Sequence, residues 1–389
     1  MVSVRQSKSN FLRISLIGGA VIALTYGLAR FAFGLFLPFI RQDLSINTSE
    51  AGVVGSLPFI SFIVGVMLAP VISNKLNSAI AAGLASCLAA LGLFSIAEAS
   101  DIIMLGVGVT TCGLSTGLSS PIMARIVKQN IDSHLCGRVN AIHNASTSLG
   151  IAMAVPAAIL WANDWRLAYL SFGLLATLCA VTALLFLQGL KKFVTKTREG
   201  NKADDRVKTS QWQAECKLSF LAFCMGLVSS IYWVFAPDLV SQYSSLSSKQ
   251  MGWMWLAVAF GGLGGGFASD LMDRLGAGRT HTIALIVMAL SLIVTALAPE
   301  LITFSLLSAV AFGASYMTIT GFHLVKGVQI IHQKPALGPV LPLLGTTIGQ
   351  AIGSGLSGVA IESIDYHWAF ILFAAIGLTV AICTDKIIN

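Results

Sequence analysis

Arg30 lies in the run Tyr26-Gly27-Leu28-Ala29-Arg30-Phe31-Ala32-Phe33-Gly34, where every neighbour is small, apolar or aromatic. A guanidinium there offers a planar fork of donors that fits a carboxylate or phosphate two bonds at a time. Eight residues separate it from Pro38, about 12 Å along a helix. A charge that deep in an apolar span costs at least about 2.5 to 3.5 kcal/mol unless it faces a cavity or a partner. Gly27, Arg30 and Gly34 fall on one helical face, with room beside it. Among the carboxylates, Glu98, Asp101, Glu300, Glu362 and Asp365 fall at one end of their segments and Asp270 at the other, while Asp238, just past Pro237, comes nearest. A buried proton-relay carboxylate is not visible in this pattern. Two roles therefore stand for Arg30: holding an anionic solute group, or tying neighbouring helices together. His143 and His323 could titrate near neutral pH and are candidates for coupling to a proton. Both fall near segment ends, where a lone imidazole is ordinarily satisfied locally.

Other chemistries find no support. There is no HExxH, no nucleophile placed with its base and no Walker motif, so no enzyme is expected. Cys87, Cys112, Cys136, Cys179, Cys216, Cys224 and Cys383 form no CxxC pair or zinc-spaced cluster and read as packing residues; no metal or cofactor is expected. The Gly-rich run Gly261-Gly262-Leu263-Gly264-Gly265-Gly266 lacks the preceding strand that a phosphate-binding loop needs.

The elements that must position these groups follow from composition. Of 389 residues, 56% are hydrophobic and 11% charged, which excludes an ordinary soluble domain, where roughly 25% are charged. Apolar runs separated by polar breaks predict twelve transmembrane helices, near 14–38, 51–72, 79–97, 102–124, 139–160, 167–189, 218–237, 251–269, 281–298, 301–324, 337–361 and 368–384. The basic N-terminus precedes an apolar run without a cleavage site and reads as the start of the first helix. With both termini in the cytoplasm, only Arg41, Arg166 and Lys249 of the 24 basic residues fall in outer loops and Arg30 falls within a span, a strong positive-inside asymmetry. The net charge of +7 is thus topological, and nucleic acid is not an expected partner.

Residues 191–217 are polar and basic and read as a cytoplasmic linker between helical bundles at 1–190 and 218–389. The two blocks repeat at a shift near 200: Gly27–Pro38 falls on Gly226–Pro237, Asn74-Lys75-Leu76 on Asp273-Arg274-Leu275, Gly113 on Gly313, and Asp164–Tyr169 on Asp365–Phe370. Four landmarks in order predict two parallel six-helix pseudo-repeats.

At this point the chain resembles the major facilitator superfamily over essentially its whole length. Ser269-Asp270-Leu271-Met272-Asp273-Arg274-Leu275-Gly276-Ala277-Gly278-Arg279 is similar to that family's G-x-x-x-D-R-x-G-R/K-R/K loop, with Ser for the first Gly and one extra residue before Arg279. The first-half copy, Asn74-Lys75, has no carboxylate. Tyr26–Gly34 is similar to a bacterial subgroup whose first helix reads aromatic-Gly-x-x-Arg-aromatic. The family's fourth-span Arg has no counterpart in Met104–Met123.

The resemblance implies an all-α membrane protein of twelve helices, a secondary transporter moving a small solute by alternating access. It implies that Asp270, Asp273, Arg274, Arg279, Asn74 and Lys75 act as a conformational latch. Spans 1, 4, 7 and 10 would line the path, so that Arg30, Tyr26, Ser119, Ser120, Tyr232, Trp233, Tyr316 and Thr320 bind the solute. Small-residue stripes in spans 2, 5, 8 and 11, such as Gly345-Gly349-Gly353-Ser357, would form the contact between halves. The expected setting is the bacterial inner membrane, as a monomer in the lipid bilayer with a small-molecule substrate and a coupling ion such as a proton. An organic anion is the expected substrate class. The alternatives are efflux of lipophilic drug-like compounds, with Arg30 structural, or a non-transporting receptor of the same fold.

Overall fold

The structure is a computed structural model that describes residues 2–161, 164–188, 190, 207–333 and 337–388. Most of the expected linker, residues 191–206, lies outside the described residues. In hydrocarbon every backbone N–H and C=O must be satisfied within its own segment, so apolar runs of this length fold as helices. They are α1 (Ser9–Leu44), α2 (Thr48–Lys75), α3 (Ser78–Ala97), α4 (Ile102–Asn130), α5 (Ser133–Leu160), α6 (Trp165–Phe186), α7 (Thr209–Tyr243), α8 (Ser248–Gly262), α9 (Ala277–Leu297), α10 (Ile302–Ile330), α11 (Val340–Ile364) and α12 (Tyr366–Ile388). A tight turn of 3-10 helix carries α8 on into Ala268–Leu275.

Among the described residues nine of these helices are long and apolar enough to cross a membrane, ten if α8 and its bent continuation count as one. α5 and α11 have the length, at 28 and 25 residues, but their Ser, Thr, Asn and Gly content lowers the hydropathy. Asn77, Asp101 and Asp164 start α3, α4 and α6 by accepting the backbone N–H three residues on. α7 begins at Thr209, so the polar stretch Thr209–Lys217 is helix rather than linker.

Contacts group the chain into two compact units, Met1–Phe33 with Ile60–Arg198, and Gly34–Phe59 with Glu199–Asn389. In the first, α3 packs on α4 and α6, and α5 packs on α1. In the second, α11 and α12 pack on α7, while α10 packs on α8 and α9. α6 turns Leu174, Leu178 and Leu185 outward at about 60% exposure each, as a lipid-facing helix does.

The second unit includes the far ends of α1 and α2, which pair with α7 and α11 at specific points. A Cβ on Gly34 would stand 1.9 Å from the Trp233 carbonyl oxygen, and one on Gly52 would stand 2.9 Å from the Gly358 Cα. Pro237 has no N–H to give the carbonyl four residues back, which is that of Trp233, so this oxygen is open to the approaching Gly34 backbone. The repeat relates Pro38 and Pro237, so Gly34 and Trp233 occupy matching places and meet.

The glycine stripe of α11 does not do what the resemblance implies. Gly345, Gly349 and Gly353 face Ser219, Phe223 and Leu227 of α7, within the second unit. Close backbone approach is what Gly provides, and here it is spent on packing α7 against α11.

Candidate functional site

Arg30 sits in a π-helical stretch of α1, Ala23–Phe31, in which only Tyr26 is not buried. A π turn widens the helix and displaces side chains from the ordinary 3.6-residue faces. Its loosened backbone is satisfied from α4: the Thr116 hydroxyl donates to the Thr25 carbonyl at 2.7 Å, and Ser119 Oγ shares a hydrogen bond with Thr25 Oγ1 at 3.0 Å. α5 approaches so closely that a Cβ on Gly150 would lie 2.0 Å from the Ala23 carbonyl oxygen. Arg30 itself is 6% exposed. Its guanidinium carbon stands 4.7 Å from the Phe62 ring centre, 5.3 Å from that of Phe31 and 5.9 Å from that of Tyr26. The rings lend their faces to the cation.

Of the other expected site residues in the first unit, Tyr26 and Ser119 join this neighbourhood, while Ser120 is half-buried one position on. Phe62, Thr25 and Thr116 belong to it and were not singled out from sequence. The π turn that brings them in has no composition signal of its own.

The second unit holds an aromatic cluster. Tyr232 stacks on Phe312 at 3.8 Å, and Trp233 meets Tyr316 at 5.1 Å, Phe312 at 5.2 Å and Trp255 at 5.8 Å, all three edge-on. Gln350 donates from Nε2 to the Tyr316 hydroxyl at 3.1 Å. Thus Tyr232, Trp233 and Tyr316 come together in one cluster. Thr320 turns its hydroxyl back to the Tyr316 carbonyl, one turn before. Trp255 of α8 and Gln350 of α11 complete the cluster and were not singled out from sequence.

At the end of this unit that the charge distribution assigns to the outer face, Arg41, Asp238 and Tyr366 form a buried polar knot. Arg41 Nη1 donates to Asp238 Oδ2 and, at 2.6 Å, to the Tyr366 hydroxyl, which itself donates to Asp238. Asp238 is 4% exposed and lies inside α7, not beyond its end. Beside the knot the Tyr243 hydroxyl donates to Asp365, and the Ser49 N–H donates to Glu362. A buried carboxylate is therefore present where the sequence showed only a near approach. Pro237, which marked the end of a span, is accommodated inside a helix of 35 residues.

The residues of the loop that follows α8 stand apart. Asp270, Asp273, Arg274 and Arg279 are exposed and make no ion pair with the described residues. Gly276 between them has φ +86°, which suits glycine. Asn74 accepts from Arg125 at 2.6 Å, and Lys75 ends α2. His143 bonds through Nε2 to the Ile14 carbonyl at 3.0 Å. His323 is 3% exposed, with its ring 5.3 Å from that of His281. Cys112, Cys179 and Cys224 pack in the interior as expected, whereas Cys87, Cys216 and Cys383 lie on exposed helix faces.

Helices of this length and apolar composition make the chain a multi-pass membrane protein. The sequence model of the Major Facilitator Superfamily matches residues 19–327. The chain belongs to that superfamily, and solute transport by a secondary carrier is its class of function. The D-xylose-proton symporter has a similar fold, with TM-score 0.78 and 14% identity over 98% of each chain. So has the nucleoside transporter NupG, at 0.75 and 11% over 98% of this chain and 99% of that one. A bacterial homologue of the lysosomal transporter Spinster, solved inward-facing and unoccupied, gives 0.72 and 15% over 98% and 95%. No curated protein matches in sequence.

Proposed function

We propose that this carrier moves a small organic anion across the bacterial inner membrane by alternating access, with Arg30 holding the anionic group. The observation that carries the reading is a guanidinium 6% exposed, in a π-helical stretch and surrounded by three aromatic rings. Burying such a cation in an apolar span is costly, and a bound carboxylate offsets that cost in the loaded state. The aromatic rings supply the apolar part of recognition, so an amphipathic anion suits the surroundings better than an inorganic one. Both termini are cytoplasmic in this reading, and Arg41, Asp238 and Tyr366 tie the outer ends of α1, α7 and α12. Release of that tie accompanies opening to the outer face.

The cluster of Trp233, Trp255, Phe312 and Tyr316 favours a second reading, efflux of lipophilic compounds, in which Arg30 serves packing alone. Thermal-shift measurements on purified protein with benzoate and with tetraphenylphosphonium separate the two. Stabilisation by benzoate that vanishes in Arg30→Gln supports the anion site. Stabilisation by the cation alone, equal in both proteins, supports efflux.

A further inference from the structure

Among the described residues Glu215 is the second buried carboxylate, and it differs from Asp238 in making no hydrogen bond or ion pair with them. It sits in the first turns of α7, at the end that the charge distribution assigns to the cytoplasm, and is 0% exposed. Neither of its oxygens has a hydrogen-bond partner among the described residues. The titratable and charged groups at this end include Lys208, Cys216 and Lys217 at the start of α7, His323 and Lys326 on α10, His332 just beyond α10, His281 on α9 and Cys383 on α12. None of them forms an ion pair or hydrogen bond with Glu215 among the described residues. α11, the helix packed most closely on α7, contributes no charged group near this end. An ionised carboxylate in such a place would have no cation or donor among the described side chains, whereas the neutral acid loses little by burial.

The surroundings also supply a way in. Gln211, Glu215 and Ser219 are spaced by four and form one stripe of α7. The Gln211 amide bonds to the Ile330 carbonyl at 2.8 Å and to Gln333 at 2.9 Å, and it meets Nδ1 of the exposed His332 at 3.4 Å. Ser219 Oγ, one turn beyond Glu215, is likewise buried without a hydrogen-bond partner. A row of polar groups thus leads from the inner rim to an unpartnered carboxyl.

We infer that Glu215 is a proton-binding site of this carrier, protonated in the state seen here and exchanging its proton with the inner face along the Gln211 and His332 row. Loading forms the carboxyl O–H bond; unloading returns the proton to water or to the His332 imidazole at the rim and leaves a carboxylate. The inference rests on reading the chain as a secondary carrier, and it names a residue that would carry a coupling proton.

The test uses the full chain in lipid nanodiscs. Infrared difference spectra are recorded while the buffer is switched from mildly acid to mildly alkaline. The wild type is expected to show a protonated-carboxyl C=O band that is lost in Glu215→Gln and shifted in Glu215→Asp. Gln211→Leu is expected to keep the band but to slow its exchange severalfold. In parallel, the wild-type Tm is expected to fall as the buffer turns alkaline, because the folded state holds a proton that the unfolded state releases, while Glu215→Gln gives a flatter profile. A band unchanged in both Glu215 variants, or equal pH slopes of Tm in the wild type and the Gln variant, overturns the inference. If Glu215→Gln does not fold, the band shift in Glu215→Asp decides alone. Neither readout uses a solute, so failure here leaves the anion site at Arg30 standing, and the reverse holds too.

Discussion

Arg41 donates to Asp238 across 197 positions of sequence, and the Tyr366 hydroxyl lies against both. The pair joins the C-terminal end of α1 to α7 where the Asp238 side chain is 6% and the Arg41 side chain 21% exposed. Removing one partner of a buried pair strands the other charge, so Arg41→Ala is expected to cost about 3 kcal/mol of stability. Combining Arg41→Asp with Asp238→Arg is expected to restore most of that loss. Unfolding midpoints of the two single variants and the reversed pair in detergent provide the check, and no recovery in the pair would show that the contact contributes nothing specific.

Gly34 meets the Trp233 carbonyl so closely that no side chain fits. Gly34→Ala is expected to push α1 from α7 and lower the Tm by several degrees, in keeping with about 1 to 3 kcal/mol for overpacking. Gly355, on the open side of α11, has nothing within 4 Å of an added Cβ. Gly355→Ala is therefore expected to be neutral or to stabilise by up to about 1 kcal/mol, as in any helix interior.

Asp365, between α11 and α12, is pushed up by burial but more than compensated by donors: the Tyr243 hydroxyl, the His367 N–H and the His367 ring together hold it below the usual carboxylate range. A depressed carboxylate contributes stability above its unfolded pKa, and that contribution disappears as pH falls through its folded pKa. Asp365→Asn is expected to lower the Tm at neutral pH, where the charged form contributes, and to flatten the acid limb of Tm against pH.

Much of the fold was legible in the sequence, and the parts that were not share a physical cause. Apolar runs and the asymmetry of Lys and Arg are bulk properties of a bilayer solvent, so all twelve expected spans have a helix in the structure. The repeat brought Gly34 and Trp233 into register before any contact between them was known. Polar groups at helix ends were harder. Asp238 read as lying past its span because Pro237 looked like a stop, and Glu215 read as linker because Thr209–Lys217 is polar in composition. Whether such a residue is helical and covered depends on helices far away in sequence, such as α11 beside α7. Arg30 stood out as a buried charge, but the π turn that holds it depends on Gly150 of α5 and Thr116 of α4.

The central claim is that Arg30 binds the anionic group of the solute. Charge-assisted hydrogen bonds contribute about 1.5 to 3 kcal/mol, so Arg30→Gln is expected to weaken anion binding by ten- to a hundredfold or more, and Arg30→Lys by less. Its most direct test is uptake of radiolabelled benzoate, or of whichever organic anion gives the largest thermal shift, into proteoliposomes holding the wild type, Arg30→Lys or Arg30→Gln. The account predicts saturable uptake by the wild type, a raised KM in the Lys variant and, in the Gln variant, a KM raised at least tenfold or uptake too weak to saturate. Uptake by Arg30→Gln with wild-type KM and rate would contradict it and leave Arg30 a packing residue of α1.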